Sequence, residues 1–212
     1  MLNGVTSVTI ALLLLGSTAC AWSTPPAEPA LQASSTQQEN RELKKSDLKY
    51  DDRAAWRSVL KWPDSCESSF RYSDKSFAGL AIHELSRKLY LAEITCNLGA
   101  YQGIYLYYLY DQSTTPPSSV PLKFTTFVDS GVPGPSRLEQ DQTDEVLGVP
   151  EFDSQKHLLT VFNKFRGKGD CGILTTYTFP DRETRLLEAR AKLDCDGKGS
   201  SDPKQWKPLK LN

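Results

Sequence analysis

The sequence lacks an excess of charge of either sign, and it lacks long hydrophobic runs after its first residues. Its 212 residues carry 25 Lys and Arg against 26 Asp and Glu, a formal net charge of −1. This balance excludes the broad positive surface of a nucleic-acid-binding protein, so we expect no nucleic-acid partner. No later segment reaches the roughly 18 apolar residues of a membrane-spanning helix. Hydrophobic residues still make up 39% of the chain, which is enough for a folded core.

Residues for metal or cofactor chemistry are also scarce. The two histidines, His83 and His157, do not complete a zinc-ligand spacing, and no C-x-x-C pair is present. His83-Glu84 begins like the H-E-x-x-H motif of zinc proteases, but Arg87 occupies the position of the second histidine. We therefore expect neither a metal ion nor a cofactor.

The N-terminus has the composition of an export signal. Residues 1–21 contain no charged side chain, and the apolar run Ile10–Leu15 is followed by small residues. Two cleavage sites are consistent with this pattern. One is similar to a bacterial lipobox and would make Cys20 the lipidated first residue of the exported chain. The other has the A-x-A pattern of small residues and would leave Trp22 first.

The next segment predicts a tether and favours the lipid anchor. Residues 22–50 are rich in Pro, Ala, Ser, Thr and Gln, with few large apolar side chains. Such a segment cannot bury enough surface to offset its ordering entropy, so it should be flexible. Residues 51–212 are then expected to form a single domain in the periplasm or cell envelope. A lipid anchor would be its only contact with a membrane.

The cysteine count agrees with an oxidising compartment. Without Cys20 four cysteines remain, Cys66, Cys96, Cys171 and Cys195, and four cysteines allow three pairings. We favour Cys66–Cys96 and Cys171–Cys195, because each pair closes a loop of about 25–30 residues between adjacent elements and is expected to contribute about 3.5 kcal/mol. These disulfides are expected to be structural.

The folded part is predicted to be mainly β, as an antiparallel meander in the form of a sandwich or a partly open barrel. Asp51–Leu60 has an acidic start and one apolar face, which indicates a short helix, and Pro63 can open a second one. Gly, Pro, Ser, Asn and Asp clusters separate the segments that follow. The predicted strands are Phe77–His83, Lys88–Cys96, Gln102–Asp111, Val120–Val128, His157–Phe165, Cys171–Phe179 and Thr184–Asp194.

Two of these strands have distinctive patterns. Ile104–Tyr110 is apolar or aromatic on both faces, so we expect it at the centre of the sheet, with partners for its tyrosine hydroxyls. Thr184–Asp194 alternates apolar and charged residues as a half-buried strand does, although the same residues are strong helix formers. Asp129–Asp153, by contrast, is predicted to be a turn-rich connection.

Two predicted hairpins share a weak internal repeat. Lys88–Tyr110 and His157–Phe179 align without gaps at an offset of 69 residues. Each copy reads as strand, glycine-containing turn and strand, which makes the turns Asn97–Gly103 and Arg166–Gly172 equivalent. Duplication is one explanation, and the common composition of β-hairpins is the other.

Two short motifs imitate known sites. Gly167–Gly172 is a literal G-x-G-x-x-G, but a β-rich run follows it where a dinucleotide site needs a helix, so we interpret it as a hairpin connection. Arg166 and Lys168, with backbone amides, give this turn the groups to accept a small anion. Asp129-Ser130-Gly131 imitates an aspartic-protease motif, but a single copy followed by prolines favours a turn.

The sequence resembles a known family in several blocks. Cys96–Gln102, the tyrosine-rich strand after it and Phe162–Gly172 resemble the bacterial domain-of-unknown-function family 1176. Leu60–Cys66, and Cys195 with Trp206, are also similar to it, and the resemblance covers roughly residues 56–207. It implies an exported, disulfide-bearing envelope protein. No catalytic residue is carried over from it.

We expect a binding or interaction module of the cell envelope rather than an enzyme, with an envelope ligand or protein as its partner. The reasons are the tether, the disulfides and the missing catalytic set. The predicted ligand contacts lie in the two equivalent turns: Tyr101 in the first, and Arg166, Lys168 and Asp170 in the second. A purely structural envelope component is a further alternative.

An enzymatic alternative is a hydrolase that acts on envelope polymers through paired carboxylates. It would use Asp129, Asp153 or Asp170 together with His83 or His157. Glycoside hydrolysis requires two carboxyl groups about 5–9 Å apart, which is a property of the folded protein.

Overall fold

The computed structural model describes Lys49 and residues 51–70, 77–130 and 138–211. The predicted export signal (1–21) with its lipidation site Cys20 lies outside these residues, and so does the predicted tether (22–50) apart from Lys49. Within the described ranges, no helix is long and apolar enough to cross a membrane.

Two short helices open the domain, as predicted. α1 (Arg53–Leu60) begins after Asp52, whose carboxylate accepts a hydrogen bond from the Ala55 amide at 3.0 Å. This side chain satisfies one of the amides that a helix start leaves without a partner. α1 ends at Lys61, which has a left-handed backbone conformation. α2 (Asp64–Ser69) follows directly.

The rest of the described chain is mostly β-strand, and two short 3₁₀ turns, Pro180–Arg182 and Pro203–Gln205, flank β10. The strands are β1 (Leu80–Ser86), β2 (Leu89–Leu98), β3 (Gly103–Asp111), β4 (Ser118–Pro121), β5 (Phe124–Asp129), β6 (Leu138–Thr143), β7 (Glu145–Asp153), β8 (Leu158–Lys164), β9 (Gly172–Thr178), β10 (Arg185–Lys192) and β11 (Lys207–Pro208).

These strands form one large antiparallel sheet and a separate two-stranded ribbon, β5–β6. The order in the sheet is β1-β2-β3-β7-β8-β9-β10-β11, and β4 pairs with the second half of β3. β7 connects two half-sheets, because residues 145–148 pair with β3 and residues 149–153 pair with β8. Among the described residues the end strands do not pair with each other, so the sheet is not a closed barrel.

Hydrophobic cores lie on both faces of β2 and β3. In the outer core the helices cover the first half-sheet, and Trp56 meets Tyr110 edge-on with ring centroids 5.5 Å apart. The inner core joins the two half-sheets, and Phe124 contacts Tyr107 and Tyr177 there at centroid distances of 5.2 and 5.0 Å. Burial on both faces confirms the central position predicted for the tyrosine-rich strand.

Both predicted disulfides are present. Cys66–Cys96 joins α2 to β2 across 30 residues, and Cys171–Cys195 joins the start of β9 to the chain after β10 across 24 residues. Structural disulfides form and persist in oxidising compartments. The two bonds therefore indicate an extracytoplasmic location.

The predicted turn-rich connection Asp129–Asp153 is wrong, because it contains β6 and β7. β6 has the sequence LEQDQT and pairs only with β5 among the described residues, so its faces are mostly exposed and no apolar alternation marks it. β7 contains Gly148 and Pro150, which are typical of turns, so its sequence does not indicate a strand. Pro150 is tolerated because this half of the strand pairs only with β8 in the described chain.

The predicted strand Val120–Val128 is two strands, β4 and β5. Between them, the Leu122 amide donates to the Tyr107 carbonyl at 2.9 Å, and the Leu122 side chain enters the inner core. The chain therefore leaves the sheet at this point and starts the ribbon. The predicted strand Thr184–Asp194 is confirmed as β10, with Ala189 buried.

Candidate functional site

The two predicted turns meet, and Gln102 joins them. Its Oε1 accepts a hydrogen bond from the Lys164 amide at 2.8 Å, and its Nε2 donates to Asn163 Oδ1 at 3.3 Å. Lys164 Nζ donates to the Tyr101 carbonyl at 3.5 Å. The end of β8 is thereby attached to the turn between β2 and β3.

The Tyr101 ring lies against the backbone of Gly167 in the second turn. A Cβ atom at Gly167 would be 3.5 Å from Tyr101 Cδ1, which is ordinary van der Waals contact. The ring stays 42% exposed, and Lys168 next to Gly167 is exposed as well. We call Tyr101, Lys164, Gly167 and Lys168 the turn-pair surface.

Arg166 and Asp170 form a two-point ion pair inside the second turn. Arg166 Nε donates to Asp170 Oδ1 at 2.7 Å, and Arg166 Nη2 bonds to Asp170 Oδ2. The Asp170 side chain is only 6% exposed, and hydrogen bonding from Arg166 lowers its pKa to about 2. Asp170 therefore holds Arg166 in place and faces away from solvent, whereas Tyr101 and Lys168 face it.

The glycine motif of the second turn has no helix after it. Gly172 begins β9 with φ +152°, and a Cβ atom there would lie 2.2 Å from the Asn163 carbonyl oxygen. Glycine is required because the two strands of the hairpin approach this closely. No helix N-terminus is available here for a pyrophosphate, in agreement with the hairpin interpretation.

The strands of the two hairpins begin at equivalent positions of the internal repeat. β2 and β8 begin at Leu89 and Leu158, and β3 and β9 begin at Gly103 and Gly172, so both pairs keep the offset of the internal repeat. The turns that the repeat made equivalent are the ones that touch.

Two of the aspartates considered for hydrolysis, Asp153 and Asp170, lie at opposite ends of β8. Asp153 ends β7, where its carboxylate accepts hydrogen bonds from the amides of Gln155 and Lys156, each at 3.0 Å, and His157 is in the same turn. Asp170 lies beyond the opposite end of β8, about 20 Å away at about 3.3 Å per residue. This separation exceeds the about 5–9 Å of glycosidase carboxylates.

His83 has a different carboxylate neighbour from those considered. It lies on β1, stacks on Phe152 with ring centroids 4.3 Å apart, and places Nε2 3.9 Å from Glu93 Oε2. Asp129 ends β5, in the ribbon. Within the described residues, no group of three or more His, Cys, Asp or Glu is arranged to hold a metal ion.

A second surface feature is a groove of about 350 Å³ on the face of the second half-sheet that points away from the inner core. We call it the outer groove. Its floor is formed by β8 and β9, and its walls by β7 with the following turn and by β10 with the last 3₁₀ turn. The lining residues are Leu158, Thr160, Leu174 and Thr176 on the floor, Glu151, Asp153 and Lys156 on one wall, and Glu188, Arg190 and Lys204 on the other.

The sequence interpretation missed Gln102 and Asn163, which join the turns, and Glu151 and Lys204, which face each other across the groove. No local pattern distinguishes these polar residues from ordinary surface residues. Gln102 and Asn163 are 61 residues apart in the chain, so their contact depends on the β3–β7–β8 pairing.

Comparison with known families identifies the chain. A family model described as "Protein of unknown function (DUF1176)" matches residues 8–209. The chain belongs to the DUF1176 family. No curated protein and no solved structure matches it.

In this DUF1176 protein, the blocks that carry the sequence resemblance also build the site. Cys96–Gln102 supplies Tyr101 and the bridging glutamine, and Phe162–Gly172 supplies the second turn with its ion pair. Two of the blocks that carry the resemblance therefore meet where the two hairpins touch.

Proposed function

We propose that this DUF1176 protein is an exported, lipid-anchored binding module that recognises an anionic component of the cell envelope through the turn-pair surface. The contact between the two turns carries this proposal, because it joins the exposed Tyr101 to Lys164 and to Gly167, the residue before the exposed Lys168. Neither lysine forms an ion pair with a described residue, whereas Arg166 is neutralised by Asp170. An anion at this surface would gain two ammonium groups and an aromatic face.

The lipid anchor rests on the sequence around Cys20 and on the composition of residues 22–50. The intact mass of the protein recovered from the envelope tests it. We expect the mass of a chain that begins at Cys20 and carries a thioether-linked lipid. An unmodified chain that begins at Trp22 would refute the anchor while leaving export in place.

The binding surface can be tested with inorganic phosphate and with glycerophosphoglycerol, the water-soluble headgroup of phosphatidylglycerol. Amide chemical shifts of the exported protein would be followed by NMR during each titration. We expect saturable shifts at Tyr101, Gly167 and Lys168, and an affinity about tenfold lower in the double variant Tyr101→Ala/Lys168→Gln. The matched control is Lys123→Gln, which removes an exposed lysine elsewhere.

The two probes separate the sources of the anion. Equal binding of both indicates that the phosphate group alone is recognised, and tighter binding of the headgroup indicates a lipid. If neither probe shifts these amides, or if the double variant binds like the control, the proposed surface is wrong.

A further inference from the structure

We infer that the outer groove is a second binding site, for a short peptide with a free α-amino group and a free α-carboxylate. This inference is independent of the turn-pair surface. It rests on a row of side chains that crosses four strands at the same level. Glu151 of β7 pairs with Thr160 of β8, Thr160 with Thr176 of β9, and Thr176 with Glu188 of β10.

Among the described residues, the charges that line the groove include one group of each sign without an ion-pair partner. Asp153 pairs with Lys156 at 3.4 Å, and Glu188 pairs with Arg190 at 2.5 Å. Among the described residues, Glu151 on one wall and Lys204 on the other form no ion pair, and both are exposed. A ligand with a positive group at one end and a negative group at the other would match these two walls.

The width of the groove sets the length of the ligand. Glu151 lies on β7, and Lys204 lies in the 3₁₀ turn that packs against β9 and β10. Two to three strand spacings of about 4.8 Å separate them, which gives about 10–14 Å. An extended peptide spans at most about 3.3–3.6 Å per residue, so three or four residues would bridge the walls.

The floor suits a peptide better than a sugar. The Thr160 and Thr176 hydroxyl oxygens are 3.4 Å apart in the middle of the row, where they can bond to peptide groups. Leu158 and Leu174 flank the two threonines from opposite sides, because β8 and β9 run antiparallel, and each can contact an apolar side chain. None of the described residues that line the groove is aromatic, so they offer a sugar no ring to stack on.

The test titrates the exported, disulfide-bonded protein with trialanine and follows the amide shifts of Thr160 and Thr176 by NMR. Acetyl-trialanine, trialanine amide and the doubly blocked peptide are the matched ligands, and chitotriose is the sugar probe. We expect trialanine to bind, and blocking either end to weaken binding at least tenfold. Glu151→Gln and Lys204→Gln should each cause a similar loss.

Glu145→Gln and Lys207→Gln are the matched controls, because they remove the same charges from exposed positions outside the groove. The charge-exchange variant Glu151→Lys/Lys204→Glu should bind trialanine more tightly than Glu151→Lys alone does. In it, the two ends of the peptide would exchange walls. The inference is overturned if the doubly blocked peptide binds as well as trialanine, if chitotriose alone binds, if trialanine shifts other amides, or if it does not bind at all.

Discussion

Arg166 donates hydrogen bonds to the Asp170 carboxylate from two of its guanidinium nitrogens, and this ion pair joins the two ends of the second turn. Asp170, one of the predicted ligand contacts, therefore also holds the Arg166 side chain in place. The turn-pair surface depends on this support, because Gly167 and Lys168 lie between the two paired residues.

The first prediction concerns acid stability. The pKa of Asp170 falls from an ordinary value of about 4 to about 2 in the folded protein. Folding is therefore stabilised by the charged form above about pH 4, and this contribution is lost as the pH falls towards 2. We expect the melting-temperature difference between wild type and Asp170→Asn to be constant near neutral pH and to shrink between pH 4 and 2. A difference that does not change with pH would contradict the ion pair.

The second prediction concerns Arg53, the first residue of α1, whose side chain is buried. Its Nε donates to Glu67 at 3.0 Å, and its two Nη atoms donate to the carbonyls of Gly79 at 2.7 Å and Thr95 at 3.0 Å. Arg53→Met removes these three hydrogen bonds and leaves the Glu67 carboxylate without its cation, so the free energy of unfolding should fall by about 3 kcal/mol. Urea denaturation measures it.

The control for Arg53 is Arg57→Met. Arg57 pairs with Asp64 at the surface, where the Asp64 side chain is 97% exposed. Surface pairs contribute about 0–1 kcal/mol, so this variant should unfold close to wild type. An equal decrease in the free energy of unfolding of the two variants would show that the buried contacts of Arg53 stabilise the fold no more than a surface ion pair does.

The third prediction concerns the disulfide between Cys171 and Cys195, which spans 24 residues. Cys171→Ser/Cys195→Ser should lower the free energy of unfolding by about 2–5 kcal/mol. Reductant should destabilise the double variant further, because Cys66–Cys96 is still intact in it. Four titratable thiols in the native exported protein would refute both the pairing and the oxidising compartment.

The fourth prediction compares two glycines of the second turn. Gly172→Ala should destabilise the fold by more than about 1 kcal/mol, because Cβ would collide with the Asn163 carbonyl oxygen at 2.2 Å and φ is +152°. Gly167→Ala should be tolerated, since its Cβ would make ordinary contact with the Tyr101 ring at 3.5 Å. Thermal unfolding of the two variants tests this, and a reversed order would show that the turn packs differently.

Several features of the fold were predictable because they are local in the sequence. β3 has apolar and aromatic residues on both faces, and β10 alternates, so each strand has a pattern of its own. β6 was missed because an exposed ribbon strand needs no apolar face. β7 was missed because its glycine and proline look like turn residues.

The candidate site was only partly predictable. The internal repeat identified the two equivalent turns that contain Tyr101 and Lys168, and both residues lie on the turn-pair surface. The ion pair of Asp170 with Arg166 was not predictable, since an aspartate four residues after an arginine gives no sign of whether the two side chains face solvent or each other. The bridge from Gln102 to Asn163 had no sequence signal at all.

The sequence by itself determined the mainly β class and the two short helices, and it favoured the disulfide pairing that the structure has, because apolar periodicity and cysteine spacing act within a few tens of residues. The tertiary structure alone decided that β3 pairs with β7, that Tyr101 rests on Gly167 and that Glu151 faces Lys204 across a groove. Each of these arrangements joins residues at least 39 positions apart. Such contacts form only when the whole sheet selects one register, which no short segment specifies.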